Sequence, residues 1–416
     1  MRFKLGLSLL AVSSLASCHG ELFNREAALE SPKQVLARLP PCAAPCFISA
    51  IGNSTCAPSD SQCICASKTI DAEASLCVQM SCSFAEALAT KNTTSTACHM
   101  PVRDRSGLYN SVAIALGTVS LVFITIRLVF KKFISTARAL GWDDWVVLSM
   151  IPTRIASTVI NAEGMVVFGL GKDIWAIPPS HVPSFATVFY VMEIIYFAEV
   201  SLIKLSLCLF YLRIFPTKNI RRLLWATAGF NFLMGFLFAI LAAFQCTPVS
   251  YVWTQYTEPS SGGHCMNNNS LAWANAAISI FADLWMIAIP LSQVRKLNLS
   301  WRKKFSVSVM FLTGTFITIV SILRLRALIT FANSSNPTWD QWETAYWSTI
   351  EVNTGVMCIC LPTLRLILLR LFPEYLRTIR KSNKSYGSLE EGSHVSAARQ
   401  PQQHQLADYK SATVVS

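Results

Sequence analysis

Charged residues are scarce in this sequence, and the motifs on which common enzymes depend are missing. Asp, Glu, Lys and Arg make up 14% of the 416 residues, whereas hydrophobic residues make up 52%. The chain contains no glycine-rich nucleotide loop, no H-E-x-x-H zinc motif and no nucleophile elbow. We therefore expect no enzyme activity, and the composition indicates an integral membrane protein.

Long apolar segments fill most of the chain after residue 105. Seven of them are long enough to cross about 30 Å of hydrocarbon as helices. They run over residues 107–130, 143–164, 184–210, 222–245, 269–292, 305–331 and 343–371. The sequence therefore predicts an all-α membrane protein with a seven-helix bundle over residues 105–372.

Basic residues are nearly absent from alternate loops of this bundle. Loops 131–141, 211–222 and 293–304 hold twelve Lys and Arg residues, whereas loops 165–183, 246–268 and 332–341 hold only Lys172. Because cytoplasmic loops are the basic ones, this predicts an extracellular amino terminus and a cytoplasmic carboxyl terminus in the plasma membrane. The same clustering explains the net charge of +12 without nucleic acid as a partner.

A lysine in the last span, which retinal attachment in opsins requires, is also missing. Residues 343–371 contain none, and the only lysine within the core of a span is Lys204, in the third. We therefore expect no retinal.

Both ends of the chain differ from the bundle. Residues 1–18 have a basic start, an apolar middle too short to span a bilayer, and small residues before Cys18, which predicts a signal peptide. Residues 373–416 begin with a basic patch and continue with Ser, Gln, Ala and Gly, which predicts a disordered cytoplasmic tail.

Residues 21–104 form an extracellular module with a cysteine-rich core at residues 42–98. This core has few large apolar side chains but eight of the fourteen cysteines, namely Cys42, Cys46, Cys56, Cys63, Cys65, Cys77, Cys82 and Cys98. So short a segment needs covalent staples, and an even number of cysteines after a secretory leader predicts disulfides. The sequence alone leaves 105 pairings open.

Further signs of an extracellular side lie in other segments. Cys246 and Cys265, at the end of span four and in the next loop, are either a disulfide or two free thiols. Four N-x-S/T triplets predict glycosylation at Asn53, Asn92, Asn268 and Asn333.

Ionisable residues occur within the spans, where they are costly and face the bundle interior. They are Arg154, Glu163, Glu193, Glu199, Lys204, Asp283, Arg324, Arg326 and Glu351. Glu193 and Lys204 share one face of the third helix. Two interpretations stay open: these charges pair to fix helix packing, or they line a path for a ligand or an ion.

Asp60 is the first candidate for a chemical role. Taken alone, Pro58-Ser59-Asp60-Ser61 is ordinary turn chemistry. However, the order P-C-x3-C-x9-C-x3-D-x2-C-x-C-x11-C-x4-C-x15-C over residues 41–98 resembles the CFEM module of fungal extracellular membrane proteins.

The resemblance implies a small helical basket in which Asp60 is the axial ligand of a haem iron. A hard carboxylate ligand favours ferric iron, so such a site would be redox-sensitive. The resemblance also implies the disulfides Cys42–Cys82, Cys46–Cys77, Cys56–Cys63 and Cys65–Cys98.

The membrane part, about residues 105–375, is similar to the fungal rhodopsin-like integral membrane domain. The similarity rests on Gly141-Trp142-Asp143-Asp144-Trp145, residues 204–215, Gln245-Cys246-Thr247-Pro248, Asp283 with Pro290, and Leu361-Pro362. Two departures from G-protein-coupled receptors put coupling to G proteins in doubt: span three ends in Tyr211-Leu212-Arg213, and span seven lacks N-P-x-x-Y.

Two functions follow from these resemblances. The first is a cell-surface receptor that senses an extracellular ligand through the CFEM module and acts on a cytosolic signalling partner. The second is capture of haem or iron by the module, with the bundle as anchor or conduit.

Overall fold

The computed structural model describes residues 30–134, 140–257, 262–296, 301–332, 334 and 336–371, without side chains at 294–296, 301–310 and 369. The predicted signal peptide, the predicted tail and Asn333 lie outside the described residues. The chain divides into Met1–Pro362, which holds the module and nearly all of the bundle, and Thr363–Ser416, described only as the end of the last helix.

The cysteine-rich module is made of five short helices. They are α1 Pro32–Arg38, α2 Ala44–Gly52, α3 Ser61–Ala66, α4 Lys68–Ser81 and α5 Phe84–Ala97. Local chemistry sets several of their starts: the Ser67 hydroxyl caps α4 by accepting from the Ile70 N–H, and Glu86 accepts from the Ser83 N–H at the start of α5. Four disulfides hold these helices together around two small apolar clusters.

Seven helices long and apolar enough to cross a membrane follow, which confirms the predicted number of spans. They are α6 Ser106–Val129, α7 Trp142–Val159, α8 His181–Ile214, α9 Lys218–Ala243, α11 Asn268–Lys296, α12 Trp301–Phe331 and α13 Pro337–Leu371. The first two continue as π-helix over Phe130–Ile134 and Ile160–Met165. Helices α8, α12 and α13 are several residues longer than the apolar segments, because polar end residues continue the helices beyond the hydrocarbon-length core.

Small residues let α8 and α9 approach closely. A Cβ added at Gly235 would lie 2.1 Å from the Ser201 Cβ, so only glycine fits there. The Ser201 hydroxyl donates to the Asn231 carbonyl at 3.0 Å across the same contact. Such small-residue contacts replace the hydrophobic driving force that helices lack in lipid.

The loop between α9 and α11 is closed by a disulfide. Strands β1 Cys246–Thr247 and β2 His264–Cys265 pair antiparallel, and the Cys246 and Cys265 sulfurs are bonded. The short helix α10, Tyr251–Thr254, lies between these strands. Of the two alternatives for these cysteines, the structure contains the disulfide.

Candidate functional site

The module contains four disulfides and a cavity, and the disulfide Cys65–Cys98 is part of the cavity wall. The structure joins Cys42–Cys82, Cys46–Cys77, Cys56–Cys63 and Cys65–Cys98, the pairing that the resemblance implies. The enclosed space is about 1520 Å³ including its opening to solvent. Its apolar wall includes Leu36, Phe47, Ile51, Ile64 and Ile70. We call this space the module cavity.

Asp60 lies beside this cavity and is not part of its wall. Its Oδ1 accepts a hydrogen bond from the Cys63 N–H at 3.0 Å and so caps helix α3. The side chain is exposed, and Oδ2 accepts no hydrogen bond from the residues that the structure describes. The next residue, Ser61, does line the cavity. Asp60 therefore has a capping role and one free oxygen near the cavity edge.

The module packs on the loop that joins α7 and α8. Leu88 on α5 contacts a cluster formed with Ile174 and Ile177 of that loop. The Phe84 ring lies 5.3 Å from the ring of Tyr256, which belongs to the loop after α10. We call this contact, together with residues 103–105, the junction.

Buried polar bonds connect the junction to the start of α13. The Asp173 carboxylate accepts from Arg103 and, at 2.6 Å, from the Asn336 side-chain amide. The Asn336 Oδ1 in turn accepts from the Ile174 N–H at 2.9 Å. Asp173 and Asn336 are both almost fully buried, so breaking one bond would leave a polar group unpaired.

Backbone contacts reinforce this connection. The Gly171 N–H donates to the Thr338 carbonyl, and the Arg105 N–H donates to the Gly171 carbonyl, both at 2.9 Å. Gly171 has φ +83°, and a Cβ there would lie 2.7 Å from the Trp342 ring. Only glycine allows this three-way approach of linker, loop and span.

Asp104 in the linker is held as a carboxylate. Partial burial alone would raise its pKa, but hydrogen bonds from Ser106 and the charge of Lys172 act in the opposite direction and lower the pKa of this carboxyl below its usual value. The Ser106 N–H donates to Asp104 Oδ1 at 2.8 Å, at the start of α6. The carboxylate thus satisfies a free N–H at a helix start.

Most of the charges within the spans form three buried ion pairs. Arg154 contacts Glu199 at 2.9 Å, Lys204 contacts Asp283 at 2.9 Å, and Arg324 lies 3.8 Å from Glu351. Each pair joins different helices. The pairs join the helices, as the first interpretation expects. Their side chains also line cavities, and a path for a ligand or an ion stays a prediction. Glu163 and Arg326 are exposed and belong to no such pair within the described chain.

The described part of the bundle contains two cavities that bear on these charges. The first, which we call the module-side cavity, is at the end nearer the module, has about 930 Å³ of empty volume including its mouth, and has Glu193 and Arg324 in its wall. The second, which we call the far-side cavity, is at the other end and has about 870 Å³, with Lys204, Asp283 and Glu351 in its wall.

A chain of hydrogen bonds runs from one cavity to the other. From the module side, Arg324 donates to the Tyr196 hydroxyl, and that hydroxyl donates to Glu351 Oε2 at 2.9 Å. The Ser321 hydroxyl lies 2.7 Å from Glu351 Oε1 and 3.2 Å from Asp283 Oδ2. Lys204, on the far side, completes the series through Asp283. We call these six residues the central polar chain.

A second ionic cluster lies at the far end of the bundle, where the sequence suggested only a motif. The buried Arg127 guanidinium contacts Asp143 at 2.5 Å and Asp144 at 2.9 Å, and donates to the Ile359 carbonyl. Lys131 contacts Asp144 at 2.6 Å. This cluster joins spans one, two and seven. Sequence reasoning placed Asp143 and Asp144 in a family motif but did not pair them, although Arg127 and Lys131 on span one are possible partners by charge.

Two of the four predicted glycosylation sites are exposed. Asn53 and Asn92 lie at the surface of the module. Asn268 differs, because its side-chain nitrogen lies 3.4 Å from Glu193 Oε2 and its side chain lines the module-side cavity. Asn268 is half-buried, and glycosylation there stays a prediction, as it does at Asn53 and Asn92.

One group of three side chains in the described chain lies close enough together to hold a metal ion. This group is Cys42, Cys82 and Glu86, but the two sulfurs are joined in a disulfide and cannot act as thiolate ligands.

Two family models match the chain. The fungal rhodopsin domain matches residues 111–370, and the CFEM domain matches residues 35–99. No solved structure is significantly similar to this chain.

Several curated fungal proteins are similar to this chain. A "SAT4 family membrane protein" of Emericella nidulans is 30% identical over 261 residues, 61% of each chain. "Wortmanamides biosynthesis cluster protein C" of Talaromyces wortmannii is 24% identical over 58% of this chain and 64% of that protein, and "Receptor GIN3" of Arthrobotrys oligospora is 24% identical over 48% of each. The chain thus spans less than two thirds of the length of these relatives. With seven helices of membrane-spanning length, the CFEM module before them and a family match over more than half of its residues, this chain belongs to the fungal rhodopsin domain family and is a CFEM-bearing multi-pass membrane protein.

Proposed function

We propose that this protein is a receptor-like protein of the plasma membrane whose CFEM module senses an extracellular cue. The loop charges support an extracellular module and a cytoplasmic carboxyl terminus. A relative described as a receptor supports the role.

The observation that carries the proposal is the junction. A module that only needed tethering would require no more than a flexible linker. Here Asp173 is buried between the linker and Asn336 at the start of α13, so movement of the module acts directly on a membrane-spanning helix.

The central polar chain extends this connection across the bundle. Helix α13 carries Glu351, which is bonded to Tyr196 on α8 and Ser321 on α12. A shift of α13 therefore changes contacts of residues that line the far-side cavity. Sensing further requires that the cue bind two bundle states with different affinity.

Hydrogen exchange tests this coupling without knowledge of the cue. The full chain and a chain lacking residues 42–98 are compared in lipid nanodiscs. We expect the deletion, and Asp173→Asn in the full chain, to change exchange at far-side peptides over residues 204–215. Glu73→Gln, an exposed change on the module, is the matched control. If only module and loop peptides change, the module is a passive attachment and the receptor proposal fails.

Capture of haem by the module is the second candidate, and the module cavity is the observation that favours it. The apolar wall fits the flat apolar body of haem, and the free Oδ2 of Asp60 is the oxygen that the iron would require. Haem, when bound, supplies an iron centre that accepts this oxygen as a ligand.

A pair of variants separates capping from ligation at Asp60. Asp60→Asn retains a side-chain oxygen that caps α3, whereas Asp60→Ala loses both cap and carboxylate. On ferric haem titration of the full chain, we expect both variants to lose the haem absorbance and Glu73→Ala to keep it. If both Asp60 variants keep the haem absorbance of the unchanged chain, Asp60 is not the iron ligand and this candidate fails.

A further inference from the structure

The module-side cavity has unsatisfied polar atoms in its wall. Five buried side-chain atoms there have no hydrogen-bond partner among the described residues. They are Arg154 Nε, Arg324 Nε, Asn268 Oδ1, Gln341 Oε1 and Thr344 Oγ1. Buried polar groups are normally satisfied by protein, water or ligand. Such a cluster around one cavity therefore indicates a space built to receive a polar group.

The charges of the bundle interior leave one carboxylate in excess. The three ion pairs consume Arg154, Lys204 and Arg324 together with one carboxylate each. Glu193 is the remaining interior carboxylate, and it belongs to no ion pair in the described chain. A charge inside a bundle is costly unless it is compensated, so a positive partner would stabilise the Glu193 carboxylate.

The neighbouring cations are already engaged. Arg324, whose charge acts on Glu193, donates to the Tyr196 hydroxyl and lies against Glu351. Arg154 contacts Glu199 and donates to the Asn353 side chain at 2.6 Å. Within the described chain, the hydrogen-bond partners of Glu193 are the amides of Asn268 and Gln245. An anionic ligand could accept from Arg154 Nε and Arg324 Nε, but both guanidinium groups are already paired with carboxylates and Glu193 lines the same cavity. A cationic ligand would instead compensate Glu193.

The rest of the cavity wall indicates a ligand with an apolar body. Met165, Phe189, Met192, Phe197 and Leu328 make one side of the cavity apolar. Methionine and aromatic side chains adapt to varied apolar shapes. The cavity volume is about 100 Å³ when the open mouth and the space along the walls are left out, so the ligand must be small.

We propose that the module-side cavity binds a small organic cation, an amine on an apolar body, with Glu193 as its counter-ion. This site is separate from the module cavity and independent of any transmission across the bundle. The amine would donate to Glu193 and to the unpaired oxygens of Asn268 and Gln341. The apolar body would lie against Met192 and Phe197.

Matched sets of probes test the proposal on the full chain in nanodiscs at neutral pH. Butylamine, hexylamine, octylamine and phenethylamine are each compared with the alcohol and the carboxylate of the same skeleton, by their effect on the thermal unfolding temperature. We expect at least one amine to stabilise the chain at lower concentration than its alcohol and its carboxylate. If no amine does so, the proposal is overturned.

Two variants and one control assign the effect to Glu193 and to this cavity. Glu193→Gln is expected to weaken the response to the amine about tenfold or more, the loss expected for a charge-assisted hydrogen bond. Ala272→Phe narrows the cavity and keeps the carboxylate, and it should abolish the response. Glu163→Gln removes an exposed carboxylate of the same chain and should leave the response unchanged. An undiminished amine preference in Glu193→Gln, or an equal loss in Glu163→Gln, refutes the assignment.

Because the readout does not involve the module, its outcome is distinct from that of the receptor proposal. Amine binding without any far-side change on deletion of residues 42–98 would support this site and refute the receptor proposal. A far-side change on deletion of residues 42–98 without amine binding would support the receptor proposal and refute this site.

Discussion

The ion pair between Lys204 and Asp283 gives the sharpest test of the central polar chain. Their side chains are 8% and 6% exposed, the charged atoms are 2.9 Å apart, and Lys204 also donates to the carbonyl and the hydroxyl of Ser279. Lys204→Met removes the cation and keeps much of the side-chain volume. It leaves the Asp283 carboxylate with the Ser321 hydroxyl as its remaining partner in the described chain.

The free energy lost in these variants distinguishes a buried ion pair from an ordinary hydrogen bond between membrane helices. Breaking a buried ion pair by removing one partner costs about 3–5 kcal/mol, whereas replacing both with apolar residues is often nearly neutral. Hydrogen bonds between membrane helices, in contrast, contribute about 0.6 kcal/mol on average. We therefore expect Lys204→Met and Asp283→Leu each to cost about 3–5 kcal/mol, and the double variant to cost less than either.

Unfolding by a denaturing detergent in mixed micelles, followed by the fluorescence of the eleven tryptophans, measures these free energies. Arg326→Met, which removes an exposed basic side chain from α12, controls for loss of charge alone. The coupling energy of the double-mutant cycle should be several kcal/mol. A coupling energy below about 1 kcal/mol would show that the two residues do not act as a buried ion pair, and the central polar chain would lose its far-side end.

Three further predictions follow. Asp144→Ala should destabilise the bundle by about 3–5 kcal/mol in the same unfolding assay, because it removes a carboxylate from the buried cluster around Arg127, and Asp144→Glu should recover part of the loss; wild-type stability of the Ala variant would contradict the cluster. Because the pKa of Asp104 is lowered in the folded chain, its carboxylate contributes fully to stability above the pKa of the unfolded chain, about 3.8, and this contribution is lost as the pH falls through the lower pKa of the folded chain. Limited proteolysis of the linker should therefore increase below about pH 4. The increase should be smaller in Asp104→Asn, and an identical pH profile of the two chains would contradict this prediction. Cys265→Ser opens a loop whose ends are 19 residues apart, which should cost about 3 kcal/mol and lower the thermal unfolding temperature measured without reductant; an unfolding temperature equal to that of the wild type would contradict a stabilising bond.

Much of the architecture could be predicted from sequence, because the signals are local. Apolar length alone gives seven helices, since a bilayer of fixed thickness requires about twenty apolar residues for each crossing. The spacing of eight cysteines and Asp60 identified a CFEM-like module, and the four disulfides of the structure agree with the pairing that this resemblance implies. Helix bounds were less well predicted, because caps such as Ser67 and polar first turns depend on backbone hydrogen bonds that apolarity does not report.

The partners of the polar residues could not be predicted in this way. Asp173 and Asn336 are 163 positions apart, and nothing in either neighbourhood indicates that they bond at the junction. Glu193 and Lys204 share a helix face, as their spacing indicates, but they line different cavities.

What the sequence determined by itself is therefore the set of local elements: how many helices cross the membrane, where the cystine-rich module begins, and which charged residues the spans contain. Only the tertiary structure decided which of those charges are compensated. Pairing depends on helix rotation and packing, which follow from contacts summed over the whole bundle. For this physical reason, the sequence placed Glu193 within a span but did not show its surroundings. Only the fold showed that Glu193 lines a cavity and belongs to no ion pair in the described chain.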